Sequence, residues 1–425
     1  MRKALFLTRQ FPPFVTDGAS RAWKFALHLP ESGWKSLVVA PPGLSGPDML
    51  PQGTAAAGAP EIHRTGPDFD ASELGDDERA ALLCGHSLPS RRPLARLSGL
   101  FREDSAGVEW QKSASQLVER LLAEHPDIEL LYAQGPPLEP LMLALEIARR
   151  HRLAVVLDIM EPLDPAMPQP GTTSQSSGAK AEEQILLSGV PMITPTRALK
   201  EYFLKKYQGR LTNGAMTIVP DGYDASHPVF RLPAGGNSSA VMRWAFIVEN
   251  VSKREIKTLL TALDSFVNAD GLTPGGAEFT FFGDGAREVA RSMAKRPSAA
   301  MIVTGPFGAL DRELELLRKA DLVCTVLGST DRNTCIVPGR MVDALGLRRP
   351  LSGVMPAGSA ERIVTEAGGM TALPGDAAGI LALFRSSVEQ WRTRSLPGAH
   401  EEFIRRHDIK VVLHELTGAI AGQHV

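Results

Sequence analysis

Short apolar runs recur along the chain, and each is followed by a longer stretch with helical spacing of its apolar positions. In the first half the runs are KALFLT, SLVVAPP, IELLYAQ, AVVLDIM and PMITPT; in the second they are RWAFIV, EFTFFGDG, AAMIVTGPF, DLVCTVLG and PLSGV. Runs this short and this continuous fit strands buried on both faces, and their alternation with helices is the grammar of a parallel sheet. The rhythm breaks once, at HPVFRLPAGGNSSA from His227 to Ala240, which is rich in Gly, Pro and Ser. The pattern therefore predicts an α/β protein of two doubly wound, Rossmann-like domains, residues 1–226 and 241–395, joined by a linker at 227–240. From Val388 to Ala421 the spacing is again helical.

Length agrees with two domains, since 425 residues exceed the roughly 250 to 300 at which single cores stop growing. A net charge of −2 lacks the basic footprint of a nucleic-acid binder. Cys84, Cys324 and Cys335 are too few and too scattered for a disulfide framework or a zinc site, which points to a reducing, cytoplasmic compartment and to no metal cofactor. The opening apolar run reads as a first strand, being shorter than the roughly 7 to 15 residues of a secretory signal core. No stretch approaches the ~18 consecutive apolar residues of a membrane-spanning helix. Membrane contact is therefore expected to be peripheral, and SRRPLARLSGLFR offers one place for it. There Arg91, Arg92, Arg96 and Arg102 interleave with Leu94, Leu97, Leu100 and Phe101. That composition suits either an anionic lipid surface or a helix packed on its own domain. The polar stretch from Pro165 to Glu183 reads as a loop beside the ligand site.

Open α/β sheets take ligands beyond the carboxyl ends of their strands, so the strand-end loops carry the chemistry. After the first strand, FPPFVTDGAS places Asp17 and Gly18 at a helix entry, and YAQGPP bares backbone at Gly135. LDIMEPLDP ends a strand with Asp158, Glu161 and Asp164. These carboxylates suit an acid/base pair or a metal, and equally helix caps and turns. Thr194 and Thr196 stand ready to cap a helix, and Asp221-Gly222 marks a tight turn. Lys253 and Arg254 open a helix, where a phosphate would meet both their charges and the helix dipole; a solvated basic helix start is the plainer alternative. Gly283 to Gly285 gives a flexible strand end, and in VPGRMVDALGLRRPL a Pro338-Gly339 entry precedes Arg340 and Asp343.

Taken in order, FPP with its glycine turn, YAQGPP, VVLDIMEP, ITPTRALKEYFLKKY, VPDGYD, FFGDG, VTGPF, ADLVCTVLG and VPGRMVDALGLRRPL resemble the family-4-like glycosyltransferases of the GT-B fold, from Phe6 to about Asp376. The resemblance implies transfer of a sugar, with retention, from a nucleotide diphosphate donor on the second domain to a glycan or lipid-linked acceptor on the first, across a cleft. It also implies a last helix, within 396–425, that crosses back to the first domain. Asp343 falls where these proteins commonly place a glutamate on the donor ribose, and Gly339 lets the backbone approach the nucleotide. A ribose offers two adjacent hydroxyls to an acceptor-only carboxylate, which supports that role. Arg340, Lys253 and Arg254 are the cations available to stabilise the leaving diphosphate without a metal. Asp343 is accordingly expected in an open cleft, where its removal would spare the fold.

Three departures from the family pattern stand out. Glu249 replaces a glycine after the first strand of the donor domain, Cys335 stands where a glutamate is common, and Met160-Glu161-Pro162 replaces an Arg-Asp-Pro pattern. A carboxylate beside a diphosphate is repulsive and obstructs close backbone approach. Two other classes therefore remain: a catalytically weakened homologue acting as a binding or scaffold partner, and a nucleotide-sugar epimerase, since the two-domain fold is shared with that class.

Overall fold

The computed structural model describes residues 2–45, 58–70, 102–164, 167, 177–232, 241–269, 273, 275–294, 296–305 and 310–421. The chain divides into two compact units. One comprises Met1–Pro220, Gly308–Leu310 and Val412–Val425, and the other Asp221–Phe307 and Asp311–Val411. Within the expected linker, Pro228–Arg231 forms a single helical turn capped by His227, while 233–240 lie outside the described residues.

In the first unit the described strands are β1 (Arg2–Leu7), β2 (Trp34–Ala40), β3 (Leu44–Ser45), β4 (Glu61–Arg64), β5 (Phe69–Asp70), β6 (Ile128–Gly135), β7 (Ala154–Ile159), β8 (Met192–Thr194) and β9 (Met216–Ile218). Seven of them form one sheet in the order β4-β2-β1-β6-β7-β8-β9, and β3 pairs with β5. Every pairing is parallel, with Leu5 opposite Leu37 on one side of β1 and Leu131 on the other. Helices Asp17–His28, Arg102–Glu124, Leu138–His151, Ser177–Leu186 and Arg197–Lys206 alternate with these strands. Their starts follow local chemistry. Thr16 Oγ1 accepts from the Ala19 amide at 3.2 Å and Thr196 Oγ1 from the Leu199 amide at 3.1 Å, each satisfying a donor that the first helical turn leaves unpaired.

In the second unit β10 (Met242–Glu249), β11 (Ala277–Phe282), β12 (Ile302–Thr304), β13 (Leu322–Leu327), β14 (Leu351–Val354) and β15 (Thr371–Ala372) form a second parallel sheet in the order β12-β11-β10-β13-β14-β15. Its core is aromatic. Phe246 stacks on Phe281 with ring centroids 4.5 Å apart, and Phe384 of the Ala377–Arg392 helix meets the Trp244 ring edge-on at 5.2 Å. These rings lie on the same face of neighbouring strands because side chains alternate with period two, so the sheet and its covering helix share one apolar layer. The Ile409–Ala421 helix starts in this unit, and its residues from Val412 onward group with the first unit. No helix among the described residues is long and apolar enough to cross a membrane.

One buried ion pair organises the first unit. Arg21, on the Asp17–His28 helix, donates through Nε to Asp158 Oδ2 at 2.7 Å and through Nη2 to Asp158 Oδ1 at 3.2 Å. Its remaining hydrogens reach the Pro220 carbonyl at 2.9 Å and the Val219 carbonyl at 2.8 Å, and the Tyr132 hydroxyl also donates to Asp158. Arg21 is 3% exposed and Asp158 0%, so both charges sit out of water and depend on each other. The pair ties the first helix to β7 and to the segment where the chain leaves the unit. Replacing Arg21 by Met leaves Asp158 uncompensated and is expected to cost about 3 to 5 kcal/mol of stability, with Arg21→Met/Asp158→Asn recovering much of it. Urea unfolding checks this, and a loss under about 1 kcal/mol for the single variant would contradict the assignment.

Candidate functional site

In the second sheet the strand order reverses between β10 and β13: the chain leaves β10 for β11 on one side and β13 for β14 on the other. The carboxyl ends of these two strands, Glu249 and Leu327, are register partners. Such a reversal is where open α/β sheets take ligands, because the loops depart in opposite directions and leave a crevice. Here the loops are 250–252 and 328–330, flanked by Gly283 and Asp284 after β11 and by the Lys253–Ala269 helix.

The geometry of this crevice is set by close backbone approach. Gly283 has φ +97°, and a Cβ there would lie 2.6 Å from the Val248 carbonyl oxygen, so only glycine fits. Asn250 also has positive φ, 53°, and its amide donates to Asp284 Oδ1 at 3.1 Å. The Asn333 side-chain amide donates to the Gly328 carbonyl at 2.7 Å and to the Asn250 carbonyl at 3.3 Å, clamping the two loops together.

Glu255 completes the arrangement. One carboxylate oxygen accepts from the Ser252 amide at 2.9 Å and from its hydroxyl at 2.6 Å, while the other accepts from the Ser329 amide at 2.7 Å. Ser252 Oγ in turn accepts from the Glu255 amide at 3.3 Å, closing a reciprocal capping box at the helix start. Partial burial pushes the Glu255 carboxyl up, but the hydrogen bonds from Ser252 and Ser329 outweigh it and hold the group below the usual glutamate range. Lys253 and Arg254 are exposed beside it at the helix entry.

Arg340 and Asp343 lie nearby in sequence to the Pro338 entry, on the Gly339–Gly346 helix, which begins with Gly339. The expectation of an open-cleft Asp343 is corrected. Asp343 is 0% exposed and receives Arg340 Nη1 at 3.4 Å, while Arg340, itself buried, donates through Nε to Glu313. The physical reason is charge pairing: an arginine withdrawn from water needs carboxylates, and Asp343 is one of two that it has. Burial, with Asp343 adding to it, pushes the Glu313 carboxyl up against the opposing pull of Arg340. The Arg340 charge is thus already engaged by protein groups. Glu249 is half-buried at the end of β10, and Cys335 is buried with its thiol pushed up by desolvation, which makes it a small apolar filler rather than a nucleophile.

In the first sheet the order reverses between β1 and β6. The groups there are mostly neutral. Thr8 Oγ1 donates to Gln134 Oε1 at 3.0 Å, Gln134 Nε2 donates to the Gly18 carbonyl at 3.0 Å, and Gln10 Nε2 donates to the Pro136 carbonyl at 2.9 Å. Gly18 and Gly135 are buried, and Asp17 and Glu161 are half-buried at the starts and ends that the sequence placed them on. Arg9 and Glu139 pair across this edge at 3.0 Å. Asp158 is the second correction: it carries the structural pair with Arg21 and is fully buried, so it is no acid or base open to an acceptor. Among the described residues no group of histidine, cysteine and carboxylate side chains could hold a metal. The basic cluster at Arg91, Arg92 and Arg96 lies outside the described residues, and Arg102 opens the Arg102–Glu124 helix.

Sequence reasoning missed Glu255, Glu313, Asn333, Asp284 and Arg21. Only Glu255 left a readable signal, the Ser252-x-x-Glu255 spacing of a capping box.

No family model matches the chain, and no curated protein matches it in sequence. Solved structures share its fold over the full length. Sucrose-phosphate synthase from Thermosynechococcus elongatus has a TM-score of 0.64 at 11% identity, over 100% of this chain and 99% of that one. HepE from Anabaena, crystallised with UDP-glucose, has a TM-score of 0.61 at 13% identity, over 99% of this chain and 100% of that one. A putative UDP-N-acetylglucosamine 2-epimerase from Listeria monocytogenes has a TM-score of 0.55 at 12% identity, over 99% of this chain and 96% of that one. The fold is that of the GT-B glycosyltransferases, two parallel α/β units in one chain.

Because Asp343 is buried against Arg340, its replacement by Ala is expected to lower stability by about 1 to 3 kcal/mol, the scale of losing a hydrogen bond to a buried charge. A urea midpoint shift with unchanged slope is the check; a change below about 0.5 kcal/mol would return Asp343 to the exposed class.

Proposed function

We propose that the protein is a glycosyltransferase that moves a sugar from a nucleoside diphosphate sugar to a glycan or lipid-linked glycan. The observation that carries the reading is the full-length match to a GT-B protein crystallised with UDP-glucose, joined to the crevice at the β10/β13 reversal of the second unit. In this reading the second unit takes the donor. Gly339 allows approach of the nucleotide. Lys253 and Arg254, exposed at the helix entry, face the diphosphate and stabilise the charge that develops as the anomeric bond breaks. Transfer proceeds with retention and needs no resident metal. The first unit takes the acceptor around Asp17, Gly18, Gly135 and Glu161, beside the strand reversal between β1 and β6. The arginines at 91, 92 and 96 would bring the protein to an anionic membrane face when the acceptor is lipid-linked.

A second reading is favoured by a specific observation. Glu249 ends β10, Asp284 follows β11 and Glu255 lies in the first turn of the Lys253–Ala269 helix, so carboxylates gather beyond the carboxyl ends of these strands, a poor environment for a diphosphate, and this supports a weakened homologue that binds a nucleotide or glycan without transferring.

Both readings meet one experiment. The protein is melted with millimolar nucleoside diphosphates and nucleotide sugars, then incubated with the stabilising sugar and candidate glycan acceptors. A ligand at ten times its Kd is expected to add about 1.4 kcal/mol of stability by mass action, a rise of a few degrees in Tm. Stabilisation with sugar transfer supports the transferase, and stabilisation without transfer supports the second reading. No stabilisation by any nucleotide would overturn the transferase and the nucleotide-binding form of the second reading.

A further inference from the structure

The Lys253–Ala269 helix begins at the β10/β13 reversal, and a helix N-terminus at that position is where an α/β sheet places an anion. The donors that line the crevice beside that helix start, however, are occupied from within. Glu255 collects the Ser252 amide, the Ser252 hydroxyl and the Ser329 amide, groups that come from both sides of the crevice. The fit is close: a Cβ added at Gly328 would stand 2.9 Å from Glu255 Oε2 and 2.5 Å from the Asn250 carbonyl oxygen. A carboxylate that receives amide and hydroxyl donors from two loops does what a phosphate oxygen does when bound in such a place.

We infer that Glu255 is an internal stand-in for a donor phosphate and sets the nucleotide affinity of this protein. The inference rests on the reading of the second unit as the nucleotide-binding one. An incoming diphosphate has to swing the Glu255 side chain off Ser252 and Ser329 or lie against its charge. Either course weakens binding, the first by giving up three hydrogen bonds and the second by like-charge repulsion. Lys253 and Arg254 are exposed next to this position. The Ser252–Glu255 box also satisfies the Ser252 and Glu255 amides without any ligand.

The test is Glu255→Gln. Glutamine keeps one oxygen for the Ser252 capping box and removes the charge together with the Ser329 contact, so the helix start is retained, and circular dichroism with a thermal melt verifies the fold. UDP and, separately, inorganic pyrophosphate are titrated calorimetrically into the unmodified protein and the variant at low salt. The expected result is that the variant binds both probes roughly tenfold more tightly or better, the scale of removing one like charge at contact distance in a half-solvated site. Equal or tighter binding by the unmodified protein overturns the inference while leaving the transferase reading standing, since a nucleotide then binds regardless of Glu255. Binding of neither probe to either protein overturns the inference and removes the nucleotide-binding reading beneath it.

Discussion

One carboxylate joins the two loops that leave the central strands of the second sheet. Through Glu255 the segment after β10 and the segment after β13 share an anion, which accepts from the Ser252 and Ser329 amides. The neighbouring features follow from this constraint. Gly328 has no side chain because the Asn250 carbonyl and the Glu255 carboxylate leave it no room, and Asn333 clamps the same two loops from the other side. The crevice between the two loops is thus held in shape by the protein's own groups.

Three other groups of buried charges work differently. Arg21 with Asp158 and Lys206 with Glu182 in the first unit, and Arg340 with Glu313 and Asp343 in the second, are pairs withdrawn from water whose members satisfy one another. Each joins elements that the sheet alone would not hold: Arg21 reaches β7 and the Val219 and Pro220 carbonyls, and Glu182 accepts from the Asp164 amide and the Tyr207 hydroxyl as well as from Lys206. Removing one member of such a pair costs far more than the pair contributes, so these residues are fixed by the fold before any ligand is considered. The contrast between the two units is chemical. The strand reversal of the first carries buried amides and hydroxyls bonded to one another and to backbone carbonyls, and that of the second carboxylates and two exposed cations.

The strands were legible in the sequence because a parallel sheet buried on both faces needs uninterrupted apolar runs, and KALFLT, AVVLDIM, RWAFIV and DLVCTVLG each became one. The caps at Thr196 and the turn needing Gly283 were legible for the same local reason. The roles of the carboxylates were not. Asp158 looks like a strand-end acid until Arg21, 137 residues away, is seen to cover it, and no local pattern encodes a partner at that separation. Asp343 misleads similarly, since its burial depends on Arg340 turning toward Glu313 on another helix. Glu255 is the instructive miss. Its Ser-x-x-Glu spacing is visible, but a capping box acquires meaning for a ligand only once the sheet order places that helix start at a strand reversal.

The most direct test of the account is the titration of the Glu255 carboxyl itself, followed by carbon NMR on selectively labelled protein with and without saturating UDP. The account predicts that it titrates below the usual glutamate range in the free protein, because Ser252 and Ser329 favour its charged form, and moves upward when a diphosphate takes those donors or lies beside it. A Glu255 that titrates in the ordinary glutamate range, unchanged when nucleotide is bound, would contradict it.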